Sequence, residues 1–150
     1  MNSILSLSLP SDVIVHQQGL TLPLPRVDGR IPAGFPSPAA DFSVKRQDLN
    51  ELIIKNPTAT FYWQVRGHSM VEAGIFENDI LVVDRSVRPV HRSIVVAEVD
   101  NDFTVKYLHK VGVHVSLRAA NPTFAPITFR DGQTLTITGV VIASIKRFIH

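Results

Sequence analysis

The 150-residue chain contains no cysteine, which excludes a disulfide framework, a thiolate metal site and a cysteine nucleophile. Net charge is scarce too: 15 Lys and Arg against 13 Asp and Glu leave +2, too weak a balance to imply a nucleic-acid-binding surface. Long hydrophobic runs are missing. The longest, Ile94-Val95-Val96-Ala97 and Gly139-Val140-Val141-Ile142-Ala143, fall far short of the roughly 20 residues a membrane-spanning helix needs. The start, MNSILSLSLPSD, lacks basic residues and its apolar stretch is broken by Ser and Pro, unlike a signal peptide. A cytoplasmic protein with no membrane association is expected.

What the chain does have is an uneven supply of proline. Six of its ten prolines (Pro10, Pro23, Pro25, Pro32, Pro36, Pro38) lie in the first 40 residues, which carry only four charges: Asp12, Arg26, Asp28 and Arg30. Prolines at that density prevent a sustained helix. The same segment holds Ile4, Leu5, Leu7, Leu9, Val13, Ile14, Val15, Leu20, Leu22 and Leu24, too many apolar residues for a purely solvated linker. An extended arm that packs reversibly is expected, with Pro32 and Pro36 keeping Ala33-Gly34-Phe35 extended. A protease cleft binds such a strip, and a plain linker looks similar.

Beyond Arg46 the pattern changes. Asp48 and Glu51 have capping-box spacing, Leu49, Leu52 and Ile53 follow at helical spacing, and Asn56-Pro57 ends the run, which predicts one short helix. The rest reads as β, with strands expected at Thr60–Val65, Ile80–Val83, Ser93–Val99, Phe103–Leu108, Val113–Arg118, Ile127–Phe129 and Leu135–Ile145. Asp100-Asn101-Asp102 reads as a hairpin turn. The expected fold is mostly β: a compact antiparallel domain with one or two short helices and an extended N-terminal arm.

Familiar catalytic motifs are absent: no phosphate-binding G-x-x-x-x-G-K-[ST], no H-E-x-x-H, no EF-hand loop, and no second glycine to make Ser69 a nucleophile elbow. His109 and His114 have no third ligand to define a metal site, Phe61, Tyr62 and Trp63 read as core and interface, and Lys146-Arg147 as a solvated end. The informative stretch is Arg66-Gly67-His68-Ser69-Met70-Val71-Glu72-Ala73-Gly74. Ser69 has the position of a helix cap, with Glu72 at the box position and Gly74 at the end. A serine there also lies beside unpaired backbone N–H groups able to hold an oxyanion, so the cap and hydrolase readings are compatible. A base is then required. His68 adjoins Ser69 and its side chain points elsewhere, whereas Lys106, on the second arm of the hairpin, serves if burial depresses its pKa well below the ordinary lysine value. Most strand lysines simply reach solvent, and a carboxylate from Glu98 on the same face would keep Lys106 charged; the sequence leaves the face of Glu98 open.

Taken in order, Gly67-His68-Ser69-Met70, Gly74-Ile75, Asp79-Ile80-Leu81-Val82-Val83-Asp84 and Phe103-Thr104-Val105-Lys106 resemble the LexA/UmuD family of self-cleaving Ser–Lys peptidases. The resemblance covers about residues 32–148, and Gly34-Phe35-Pro36-Ser37-Pro38-Ala39-Ala40-Asp41 with Asp48-Leu49-Asn50 is similar to the UmuD branch. It implies a serine endopeptidase without cofactor or metal, in which Ser69 is the nucleophile, Lys106 the general base, and the backbone N–H groups of Ser69 and His68 the oxyanion donors. The bond cleaved would be Ala33-Gly34. Ala33 departs from the Cys of the UmuD branch toward the Ala used by LexA repressors, and residues before Ile31 match poorly.

The domains implied are a removable arm, 1–33, and a peptidase domain, 34–150, made of a linker (34–47) and a globular core (48–150). Only 33 Pro-rich residues precede Gly34, so no helix-turn-helix is expected in them and no sequence-specific DNA binding. Signal peptidases share the Ser–Lys pair but carry a membrane anchor. The implied role is SOS mutagenesis: a homodimer whose cleavage is stimulated by a RecA filament on single-stranded DNA, and whose shortened form joins a UmuC-like Y-family polymerase for translesion synthesis. A LexA-type regulatory or inhibitory module and a catalytically silent β scaffold are the alternatives.

Overall fold

The computed structural model describes residues 21–36, 43–130 and 132–149. The first 20 residues, which carry much of the apolar content read as an arm, lie outside them. The described residues fall into two compact units, one ending at Lys55 and one starting at Asn56.

In the first unit, β1 (Leu24–Asp28) pairs antiparallel with β2 (Ser43–Gln47), Leu24 opposite Gln47 and Asp28 opposite Ser43. Neither strand is visible in the proline-rich sequence. Pro25 sits within β1, in a two-stranded ribbon where every strand is an edge and a missing N–H is tolerated. Helix α1 (Leu49–Ile53) begins where expected, with the Asp48 carboxylate accepting from Asn50 N at 2.7 Å. The same carboxylate accepts from Leu22 N at 2.6 Å, so one residue caps the helix and ties down the entry to β1. These two amides hold its pKa below the usual carboxylate value.

The second unit is one seven-stranded antiparallel sheet in the order β3-β4-β9-β5-β6-β7-β8. Its strands are β3 (Thr60–Gln64), β4 (Ile80–Asp84), β5 (Ile94–Val99), β6 (Asp102–Val111), β7 (His114–Arg118), β8 (Ile127–Thr128) and β9 (Leu135–Ile145). All seven expected strands are present, and the mostly β antiparallel class holds. Asp100 and Asn101 have φ of 48° and 72°, and Val99 pairs with Asp102. That is a two-residue turn of the type whose left-handed residues match the twist of the strands, and Asp and Asn tolerate it best after glycine.

Strand β9 is central and is bent by two bulges. Ala143 and Val141 face consecutive β4 residues, leaving Ile142 extra; Gly139 and Ile137 face consecutive β5 residues, leaving Thr138 extra. Bulges bend a strand and increase its twist, which lets one segment pair with β4 along its second half and β5 along its first. Two apolar clusters result. One gathers Val65, Met70, Ile75, Leu81, Val83 and Val96; the other gathers Val95, Ala97, Leu108, Leu117 and Val140.

Candidate active site

After β3, Val65 is fixed to the chain before β4: its N–H donates to Asp79 O at 2.8 Å and its carbonyl accepts from Asn78 N at 2.9 Å. Gly67 then takes a φ of 92°, a conformation that a side chain disfavours. Three residues later Met70, almost fully buried, accepts backbone bonds from Ala73 and Ile75. Ser69 sits between this left-handed glycine and this buried anchor. The short helix expected from Ser69 is a 3₁₀ turn over Val71–Ala73 that ends on Gly74 at φ 78°. Met70, not Ser69, has the cap position, without a side-chain bond. The cap reading of Ser69 is therefore corrected: its hydroxyl is engaged elsewhere.

It is engaged by Lys106. The register places Lys106 opposite Val95 in the β5–β6 hairpin, and Thr104, two residues earlier, projects to the same face. Lys106 Nζ lies 2.8 Å from Ser69 Oγ, 2.7 Å from Thr104 Oγ1 and 3.0 Å from Val105 O. The residue is 7% exposed, and burial lowers its pKa from the ordinary lysine value. Glu98 pairs with Phe103, an odd number of residues from Lys106 along β6, so it projects to the opposite face. Among the described residues no carboxylate comes within ion-pair distance of Lys106.

Ser69 and Thr104 line a cleft of about 170 Å³ with Trp63, Val65, Val96 and Phe103. The rings of Trp63 and Phe103 stand 4.9 Å apart, so Trp63 is a wall of this cleft as well as part of the core.

Other candidates are distributed differently. Ala33 and Gly34 lie in an exposed bend of the first unit, flanked by the almost wholly exposed Ile31 and Phe35. The His68 ring is on the surface, with Nε2 4.0 Å from Glu77, while its backbone carbonyl accepts from Asn121 Nδ2 at 2.9 Å. His109 has His91 as its neighbour, with ring centroids 4.9 Å apart. Lys146 is not a solvated end: it bonds both oxygens of buried Asp79 at 2.7 Å and lies 4.2 Å from the Phe76 ring centroid. Thr104 and Asn121 carry no signal of their own in the sequence; Thr104 stands two residues before a marked lysine, and Asn121 lies 53 residues from the group it holds.

The model of the Peptidase S24-like family matches residues 25–142, which include Ser69, Lys106 and Ala33-Gly34. The chain belongs to this family. Within it, Protein SamA of Salmonella typhimurium is 39% identical over 138 residues, 92% of this chain and 93% of its own. Protein ImpA of Escherichia coli is 49% identical over 124 residues, covering 79% of this chain and 80% of its own. A LexA repressor of Cupriavidus taiwanensis is 36% identical over 139 residues, covering 92% of this chain but 63% of the repressor. The resemblance to the LexA/UmuD family stands, and with it membership in a family of peptidases. Among the described residues of this Peptidase S24-like chain, no helix is long and apolar enough to cross a membrane.

Proposed function

We propose that this Peptidase S24-like protein cleaves its own Ala33-Gly34 bond with Ser69 and Lys106. The observation that carries the reading is the 2.8 Å approach of Lys106 Nζ to Ser69 Oγ at a buried position where, among the described residues, no carboxylate is within ion-pair distance to hold the proton. A neutral amine has two N–H donors and one lone pair. Val105 O and Thr104 Oγ1 take the two donors, which leaves the lone pair for the Ser69 hydroxyl proton. As Lys106 takes that proton, Ser69 Oγ bonds to the Ala33 carbonyl carbon, and the backbone N–H groups of Ser69 and His68 stabilise the resulting oxyanion. Collapse breaks the bond to Gly34, whose nitrogen leaves with the proton from Lys106. Water then hydrolyses the Ala33 ester, releasing residues 1–33 from 34–150.

The similarity to ImpA and SamA supports a role in SOS mutagenesis for the shortened form. In this reading the protein acts as a homodimer, a RecA filament on single-stranded DNA accelerates the cleavage, and residues 34–150 join a Y-family translesion polymerase. The LexA similarity favours a second reading, a regulatory module of the LexA type. Purification of tagged chain from DNA-damaged cells separates them: co-purification of a polymerase of that class supports the first, and of operator DNA the second. Chain that is not shortened by RecA with single-stranded DNA and a nucleotide cofactor, under conditions where a LexA repressor is cut, overturns the RecA-stimulated reading.

A further inference from the structure

The residue that holds the Ser69 peptide group lies far from it in sequence. Asn121, in the connection between β7 and β8, donates from Nδ2 to the carbonyl of His68 at 2.9 Å. Its Oδ1 is used within its own loop, accepting from Thr123 N at 3.0 Å and from Thr123 Oγ1 at 2.8 Å. The preceding residue, Ala120, is buried and accepts from Glu72 N at 2.8 Å, on the other side of Ser69. One loop therefore grips the Ser69 segment on both flanks.

The bond to His68 has a directional consequence. No peptide in the described chain is cis, and in a trans peptide the carbonyl and the following N–H point in opposite directions. With the His68 carbonyl drawn toward Asn121, the Ser69 N–H is turned away from it. Among the described residues the Ser69 N–H donates to no other group. This peptide turns about His68 ψ and Ser69 φ, and the bond from Asn121 Nδ2 holds its carbonyl against that turn.

We infer that Asn121 is a positioning residue: by holding the His68 carbonyl, it fixes the Ser69 N–H in the direction in which it donates to the oxyanion. The inference rests on the reading of Ser69 as nucleophile. An oxyanion donor acts only where it is already aimed, since turning it during the reaction forfeits most of its effect. Asn121 hydrogen-bonds neither Ser69 Oγ nor Lys106 Nζ, so it contributes to rate through the peptide it holds.

Asn121→Asp separates the two ends of the side chain, since it keeps the oxygen that accepts from Thr123 and removes the donor to His68. Self-cleavage of full-length chain followed against pH is expected to be about ten- to hundredfold slower in Asn121→Asp and Asn121→Ala, with the midpoint of the pH profile unmoved. The residual dipolar coupling of the Ser69 N–H, measured on uncleaved chain, is expected to change in both variants. Asn121→Asp cleaving at the wild-type rate, or an unchanged coupling, overturns the inference. Cleavage that survives Ser69→Ala overturns instead the reading of the nucleophile, and the coupling then still decides whether Asn121 holds the peptide.

Discussion

Lys106 is a cation by habit placed where a cation is costly, and this conflict makes a prediction about stability. Burial lowers its folded-state pKa, so between that value and the ordinary lysine value the unfolded chain binds the extra proton. Stability therefore rises with pH across that window and is lowest below it. Replacing Lys106 with Met removes the penalty. The Lys106→Met variant is expected to melt above wild type at neutral pH, with the difference shrinking as pH climbs through the window; calorimetry at several pH values checks it. Asp79 behaves in the opposite sense. Burial opposes its charge, but Lys146, the Phe76 N–H and Ser144 outweigh that and lower its pKa. Its contribution is present above the unfolded carboxylate value and is lost as pH falls through the folded one. Asp79→Ala is expected to cost about 2–4 kcal/mol in denaturant unfolding near pH 7, and less at pH 3. At this scale the sequence was legible where a motif marked the residue, as with Ser69 and Lys106. It was not legible for Asn121 or the Asp79–Lys146 pair, because 53 and 67 residues of chain separate the partners and neither end has a distinctive spacing.

Among the elements, β9 is the one whose geometry is least forgiving. Gly139 sits beside its first bulge, and a Cβ there would stand 2.7 Å from Val83 Cγ1 and 3.2 Å from the Asp84 carbonyl oxygen. The valine can shift a little; the backbone oxygen is held in the β4–β9 ladder. Gly139→Ala is expected to destabilise by about 1–3 kcal/mol, read as a lower urea midpoint at unchanged slope. The strands were legible because apolar β-branched runs and turn residues punctuate the chain from Thr60 onward. The bulges were not, since Thr138 and Ile142 look like any strand residues and their displacement arises only when β4 and β5 claim different halves of one strand. Strands β1 and β2 escaped for the opposite reason. Prolines and charges hide a pairing that only its partner strand reveals.

For the whole molecule, the two units differ in how much they bury. All five residues of β1 and four of the five in β2 are exposed, whereas β5 contains three fully buried residues at the centre of the sheet. A two-stranded ribbon is marginal in water, so amides of Leu24–Asp28 and Ser43–Gln47 are expected to exchange with deuterium well before those of β5 and β9, which should approach the global unfolding limit. Hydrogen-exchange mass spectrometry checks the ranking; equal protection would contradict it. A ribbon that opens easily would suit the cleavage proposed above, since Ala33-Gly34 lies in the connection between its two strands.

In the proposed reaction one serine and one neutral lysine cut one bond. The most direct measurement is the intact mass of purified chain incubated from pH 7 to 10, without partners, for wild type, Ser69→Ala and Lys106→Ala. A single new species, residues 34–150, is expected to form faster as pH rises until Lys106 is deprotonated, and to be absent in both variants. A fragment ending at any other bond, or residues 34–150 appearing in either variant at the wild-type rate, would contradict it.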